Sequence, residues 1–157
     1  VAGSKFVQQK GAKATKHYDL LLKKGDVLPE FPLESLDGSQ VGSGKLLAGK
    51  KTVLMFFTSD CGHCVKAIER WDSAYIDLNM PFQIIGISYE TLDKLRGYKL
   101  SRSVGFPFYR DPDGEFTGQH KIQTYPTFIG VDEKGRIAFV DVGNWPHKPV
   151  RGYLKLL

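Results

Sequence analysis

The sequence predicts an α/β fold, a central mixed β-sheet flanked by helices on both faces. Three observations carry this. Val53-Leu54-Met55-Phe56-Phe57 and Phe82-Gln83-Ile84-Ile85-Gly86-Ile87-Ser88 are short apolar runs of the kind buried on both sides of a sheet. A helical pattern separates them. Further on, the runs 126–131 and 136–142 are joined by Asp132-Glu133-Lys134-Gly135, a hairpin loop, so antiparallel strands join the sheet.

The elements follow in order. Residues 1–24 read as an arm or tether, rich in Lys, Gly and Gln, with a short helix expected over His17–Leu22. Residues 25–157 form one domain. Over 29–43, Phe31 and Leu33 alternate with Pro32 and Glu34, and Asp37-Gly38 supplies a turn before Val41, which predicts a hairpin. Lys45–Lys51 reads as a linker and 52–58 as the first buried strand. Thr58, Ser59 and Asp60 are candidate caps for the next helix. That helix carries Cys64, Ile68, Trp71, Tyr75 and Leu78 on one stripe, widened by Ala67 and Ala74, and ends at Asn79-Met80-Pro81. After the second buried strand, Thr91 caps a helix running to about Ser103, with Leu92, Leu95 and Leu100 inward. Pro107–Tyr109 is a short strand, Asp111–Gly114 a turn, and 115–121 a short helical piece. The two antiparallel strands follow, and Lys148–Leu157 is the last helix.

Composition bounds the function. The 157 residues are 41% hydrophobic and 25% charged, which is ordinary for a domain with a full core. Twenty-two Lys and Arg against 17 Asp and Glu give a net charge of +5, a mildly basic solvated surface. The basic stretch Lys5–Lys24 lacks the interleaved aromatics that stack bases, so no nucleic-acid partner is expected. No segment reaches the roughly 18 apolar residues of a membrane span. Val1-Ala2-Gly3-Ser4-Lys5 has no apolar signal core, which leaves a leader or membrane tether before Val1 an open question.

The chemistry is carried by Cys61-Gly62-His63-Cys64, which holds both cysteines of the chain. It stands between a buried strand and a helix. Residues three apart share a helix face, so the two sulfurs can meet in a small reversible disulfide. Free amides and the positive dipole end at a helix start stabilise a thiolate, the nucleophilic form. Cys61 is therefore the attacking thiol, and Cys64, deeper, is the resolving one. His63 as imidazolium would favour the reduced thiolate form and make the disulfide more oxidising. A metal site is not expected. There is no second Cys pair, and His17, His63, His120 and His147 lack ligand spacing. Covalent haem would need His after the second cysteine, where Val65 stands. No cofactor is expected.

From about Gly25 to the C-terminus the chain resembles the thioredoxin superfamily, in particular the TlpA/ResA-like extracytoplasmic thiol–disulfide oxidoreductases. Gly25-Asp26-Val27-Leu28-Pro29-Glu30-Phe31 followed by Leu36-Asp37-Gly38 is similar to that branch's N-terminal hairpin. Thr52–Cys64 is similar to its strand, active-site loop and helix, and Tyr125-Pro126-Thr127 to its cis-proline loop. The resemblance implies a thioredoxin-like fold with an N-terminal β-hairpin extension, and a cis Tyr125–Pro126 bond. It also implies a substrate groove lined by Gly62, Tyr125 and Pro126. There are departures. Met55 stands where thioredoxins bury an Asp, Ala67 where the ResA-like branch has a Glu, Asp60 where thioredoxins have a Trp, and Glu69 where a helix-kinking Pro occurs. Glu90, just past the second buried strand, is then the candidate proton shuttle, and Asp60 could oppose His63.

The resemblance implies exchange with protein thiols and disulfides and with an upstream redox partner, by a monomer in the periplasm or otherwise outside the cytoplasm. Direction stays open between a reductant of partners such as apocytochrome c, as in cytochrome c maturation, and an oxidant or isomerase of exported proteins. Two alternatives stand beside it. A peroxiredoxin-like thiol peroxidase is one, since Thr58 precedes Cys61 by three as in the Pro-x-x-x-Thr-x-x-Cys pattern, although Leu54 replaces the proline. A non-catalytic thioredoxin-like binding domain is the other.

Overall fold

β3 is the organising element, because it is buried along its whole length and both faces of the fold pack on it. In the computed structural model, which describes residues 19–77 and 81–157, one seven-stranded sheet has the order β2-β1-β5-β4-β3-β6-β7. The strands are β1 (Pro32–Ser35), β2 (Gln40–Gly42), β3 (Thr52–Phe56), β4 (Gln83–Ser88), β5 (Phe108–Arg110), β6 (Thr127–Val131) and β7 (Ile137–Val142). The helices are α1 (Ser43–Leu47), α2 (Gly62–Asp77), α3 (Leu92–Arg102), α4 (Glu115–Gln119) and α5 (Val150–Leu154), with a 3₁₀ turn over Pro112–Gly114. β3 pairs parallel with β4 and antiparallel with β6, and β4 pairs parallel with β5. The mixed sheet of the sequence reading is present. The hairpin β1–β2 extends it through an antiparallel β1–β5 pairing.

Alternation along β3 builds two cores. Val53, Met55 and Phe57 face one side with Cys64, Ala67, Ile68 and Trp71 of α2, Leu95 and Tyr98 of α3, and Tyr153 and Leu154 of α5. Leu54 and Phe56 face the other with Phe31, Leu33, Leu47 of α1, Phe116 of α4 and Ile129. The longer helices share one face, and the five-residue helices α1 and α4 cover part of the other. Each fully buried large apolar side chain contributes about 1.5–3 kcal/mol, so β3 and α2 together anchor the domain.

Several local expectations are corrected. The linker at Lys45–Lys51 begins as helix α1 (Ser43–Leu47), whose first residues are tied to the segment before β1 by one side chain from each. Ser43 Oγ accepts from Phe31 N–H at 2.9 Å, and Glu30 Oε1 accepts from Gly44 N–H at 3.0 Å. Five residues are too few to show a period. Leu100, expected inward, is 82% exposed. α3 instead buries Leu95 and Tyr98, three apart, and Leu100 falls off that stripe. Thr91 does cap α3, accepting from Lys94 N–H at 3.3 Å.

The helix expected at His17–Leu22 is absent over residues 19–22, and His17 and Tyr18 lie outside the described residues, as do the arm's first 16 positions and the α2 end at 78–80. Leu22, placed in the arm by sequence, is buried in the same apolar cluster as Phe31. Residues 25–28 are bonded to the start of β7, with Gly25 N–H on Ile137 O at 2.8 Å and Leu28 N–H on Gly135 O at 2.9 Å.

Gly130 in β6 pairs with Phe139 in β7, whose ring lies over it. A Cβ at Gly130 would meet that ring at 2.1 Å. Gly130→Ala is expected to destabilise the fold by about 1–3 kcal/mol, the cost of overpacking, read from denaturant unfolding midpoints.

Candidate active site

The register of the central strands fixes the site. Phe56 of β3 is opposite Ile87 of β4 on one side and Thr127 of β6 on the other. The loop after β3, the loop after β4 and the segment before β6 therefore meet at one edge of the sheet, the carboxyl edge of the parallel strands, where open α/β sheets place their sites. The first brings Cys61, the second Glu90, and the third Tyr125 and Pro126.

α2 starts at Gly62, so Cys61 occupies the capping position, and none of Thr58, Ser59 or Asp60 does. A sulfur stands where a hydroxyl or carboxylate oxygen usually caps. Cys64 N–H points at Cys61 Sγ from 3.1 Å. The two cysteines are joined by a disulfide, with Cα atoms 5.2 Å apart. Cys61 is partly exposed and Cys64 is wholly buried against the α2 core. Cys61 Sγ also lies 3.5 Å from the carbonyl oxygen of Tyr125, to which a reduced thiol could donate. The Tyr125–Pro126 bond is cis. Pro126 is buried, and its carbonyl accepts from Gly143 N–H at 2.7 Å.

Gly62 and His63 are exposed in the first turn of α2, beside Cys61 in sequence. Asp60 is exposed too. Tyr125 is half-buried, and its hydroxyl donates to Ile122 O at 3.2 Å. Burial, with smaller contributions from Tyr89, Asp111 and Glu90, pushes its phenol up to about 12. It stays a neutral donor through any physiological pH.

Glu90 is drawn to the active-site loop. Its carboxylate accepts from Ser59 N–H at 2.8 Å, from Ser59 Oγ at 2.7 Å and from Ser88 Oγ at 2.9 Å, and pairs with Lys94 Nζ at 3.5 Å. Among the described residues, the carboxylate's hydrogen bonds and ion pair go to Ser59, Ser88 and Lys94 and to neither cysteine. Met55 and Ala67, the positions where the family resemblance points to an acid, are wholly buried among apolar neighbours.

Some site neighbours escaped the sequence reading. Ser59 was singled out only as a cap. Tyr89, 45% exposed, sits beside Tyr125 with ring centroids 6.4 Å apart. Arg70 of α2, placed off the apolar stripe, donates to the carbonyl of Trp145 at 2.6 Å and so ties the loop after β7 to the active-site helix. These are contacts between residues 31 or more apart, and no local pattern signals them.

The AhpC/TSA family model matches residues 24–140 of the chain. Over 142 residues the chain is 26% identical to the thioredoxin-like protein YneN of Bacillus subtilis (strain 168), covering 86% of this chain and 81% of that protein. Among solved structures, one assigned as thiol:disulfide interchange protein DsbE from Chlorobium tepidum superposes with a TM-score of 0.74 at 21% identity, over 86% of this chain and 98% of that one. Peroxidoxin BcpB from Mycobacterium tuberculosis superposes with a TM-score of 0.70 at 18% identity, over 79% and 88%. The fold is thioredoxin-like, with β1–β2 as its added N-terminal hairpin.

The raised phenol of Tyr125 gives a pH signature. Its folded value of about 12 lies above the ordinary 10.0, so its contribution is complete below pH 10 and is lost as pH rises from there towards 12. Tyr125→Phe is expected to lessen the fall of the urea midpoint between pH 10 and 12.

Proposed function

The chain belongs to the AhpC/TSA family, and we propose that it is a thiol–disulfide oxidoreductase that exchanges the Cys61–Cys64 pair with cysteines of other proteins. One observation carries the reading. The accessible sulfur caps a helix and receives an amide N–H, its disulfide partner is buried one turn below, and the carbonyl before the cis-proline faces it. The similarity to a protein assigned as a thiol:disulfide interchange protein supports it.

In the reducing direction, the Cys61 thiolate attacks one sulfur of a substrate disulfide and expels the other as a thiolate, which takes a proton. Cys64 gives up its proton, attacks Cys61 Sγ and releases the second substrate sulfur. The substrate disulfide gains two electrons and the dithiol becomes the Cys61–Cys64 disulfide. The oxidising direction is the reverse. The Tyr125 backbone receives an extended substrate segment, and Gly62 leaves the approach to Cys61 free of a side chain. His63 as imidazolium strengthens the thiolate.

Resemblance to the TlpA/ResA-like branch supports action outside the cytoplasm, with the periplasm as the compartment. The whole dithiol site lies in one chain, which supports a monomer as the working unit. The equilibrium reduction potential against glutathione assigns the direction. A value near about −270 mV means a reductant of partners such as apocytochrome c, and one near about −120 to −180 mV an oxidant or isomerase of exported proteins.

A thiol peroxidase is the second reading, favoured by the family match and by the likeness to peroxidoxin BcpB. Thr58, three before Cys61, is buried beside the site loop. Peroxide consumption by a Cys64→Ala variant given an external thiol would favour it.

Under the leading reading, Cys61→Ser abolishes reduction of a protein disulfide, and Cys64→Ser accumulates a mixed disulfide visible by mass spectrometry. Failure of Cys64→Ser to trap any protein or model thiol reverses the roles given to the two sulfurs. His63→Pro is expected to lower the reduction potential, and an unchanged value removes His63 from the mechanism.

A further inference from the structure

We infer that Glu90 is a positioning residue that clamps Ser59 and thereby holds Cys61 at the start of α2, rather than a proton shuttle to the buried thiol. The inference extends the proposed exchange reaction to a residue outside the dithiol.

The carboxylate is committed to the active-site loop on both oxygens. A carboxylate offers about four lone-pair sites. Oε1 takes Ser59 N–H and Ser88 Oγ, and Oε2 takes Ser59 Oγ and Lys94 Nζ. The side chain is 9% exposed, which shields these bonds from competing water. Glu90 is itself fixed at both ends of its backbone unit. Its N–H donates to Ser88 Oγ at 3.2 Å, and its carbonyl accepts from Arg110 Nε at 3.0 Å. Arg110 is held in turn by Glu34 of β1 at 2.5 Å. The clamp is thus rooted in three neighbouring strand ends.

Ser59 is where such a clamp has leverage. Between the end of β3 and α2, the backbone bonds are Phe57 N–H to Ile87 O at 3.0 Å and Cys61 N–H to Thr58 O, long at 3.4 Å. Glu90 fastens the middle of this loop by two bonds to one residue. Cys61, two residues on, must keep its sulfur over the α2 amides. A loosened loop would let Sγ leave Cys64 N–H and lose the anion stabilisation of the helix end.

The test is alkylation of the fully reduced protein by iodoacetamide at pH 6, read at Cys61 by mass spectrometry. Thermal unfolding of each variant is followed beside it. Glu90→Ala removes all the bonds and is expected to slow alkylation about tenfold. Glu90→Gln keeps the shape and an acceptor oxygen for Ser59 N–H but loses the charge, and its rate is expected to stay within about twofold of wild type. Ser59→Ala deletes one of the two Ser59 bonds, leaves Glu90 charged, and is expected to slow alkylation by a few-fold. A wild-type rate in Glu90→Ala or Ser59→Ala overturns the clamp. So does a loss in Glu90→Gln as large as in Glu90→Ala, which would make charge or proton transfer the operative property. Should Glu90→Ala fail to fold, the Gln and Ser59 variants decide alone. Alkylation needs no substrate, so a wild-type protein that never exchanges with protein disulfides would remove the proposed function and leave this result standing.

Discussion

The strand pairing of β3 is the constraint on which the rest depends. Its parallel partner β4 and antiparallel partner β6 can bond it in register only if Phe56 stands between Ile87 and Thr127. Once that holds, the cysteine loop, the Glu90 loop and the cis-proline segment arrive at one edge without further design. The cost of moving β3 is set by its burial. Every residue of the strand is inside, and a shift by one residue would exchange Val53 and Met55 with Leu54 and Phe56 between cores of different shape.

The same geometry makes the two cysteines unequal. They are three residues apart on one turn, yet one is at the mouth of the helix and the other is inside the α2 core. An anion is favoured at the first position by free amides and the dipole, and is opposed at the second by loss of solvent. In the proposed exchange the partly exposed sulfur meets the substrate, and the buried one is reached by its neighbour. This inequality gives an exchange reaction an order of steps.

What the sequence made legible was local. Cys61-x-x-Cys64 between an apolar run and a helical stripe carries its own chemistry, and β3, β4 and α2 lie within two residues of their expected ends over the described stretch. The cis state of Tyr125–Pro126 came with the family resemblance and not from the residues themselves. What could not be read is what the fold brings together from afar. Glu90 read as a candidate proton shuttle beside the site, and its bond to Ser59, 31 residues away, is one that no local pattern signals. Leu100 was assigned inward on hydrophobicity alone, but Tyr98 holds the stripe position, and helix geometry prevails over side-chain character. Helix α1 is not legible locally because its start is tied to Glu30 and Phe31, 12 or more residues before it.

The apolar setting of Met55 and Ala67 bears on how the inner thiol can work. With no acid at either position, Cys64 faces Trp71, Ile68 and their neighbours in the same core. Such a pocket penalises the anion of Cys64 until Cys61 is already engaged with another sulfur. A proton acceptor is then needed only at the moment of resolution, and it need not be a resident carboxylate. The expelled substrate thiolate, or water at the rim beside exposed His63, can take that proton. A fixed acid at the sheet edge is thereby free for the positioning role inferred above, in which Glu90 is bonded to Ser59 and Ser88 and paired with Lys94. On the inference that Glu90 positions the loop, control of the outer sulfur's position stands in for buried control of the inner sulfur's proton.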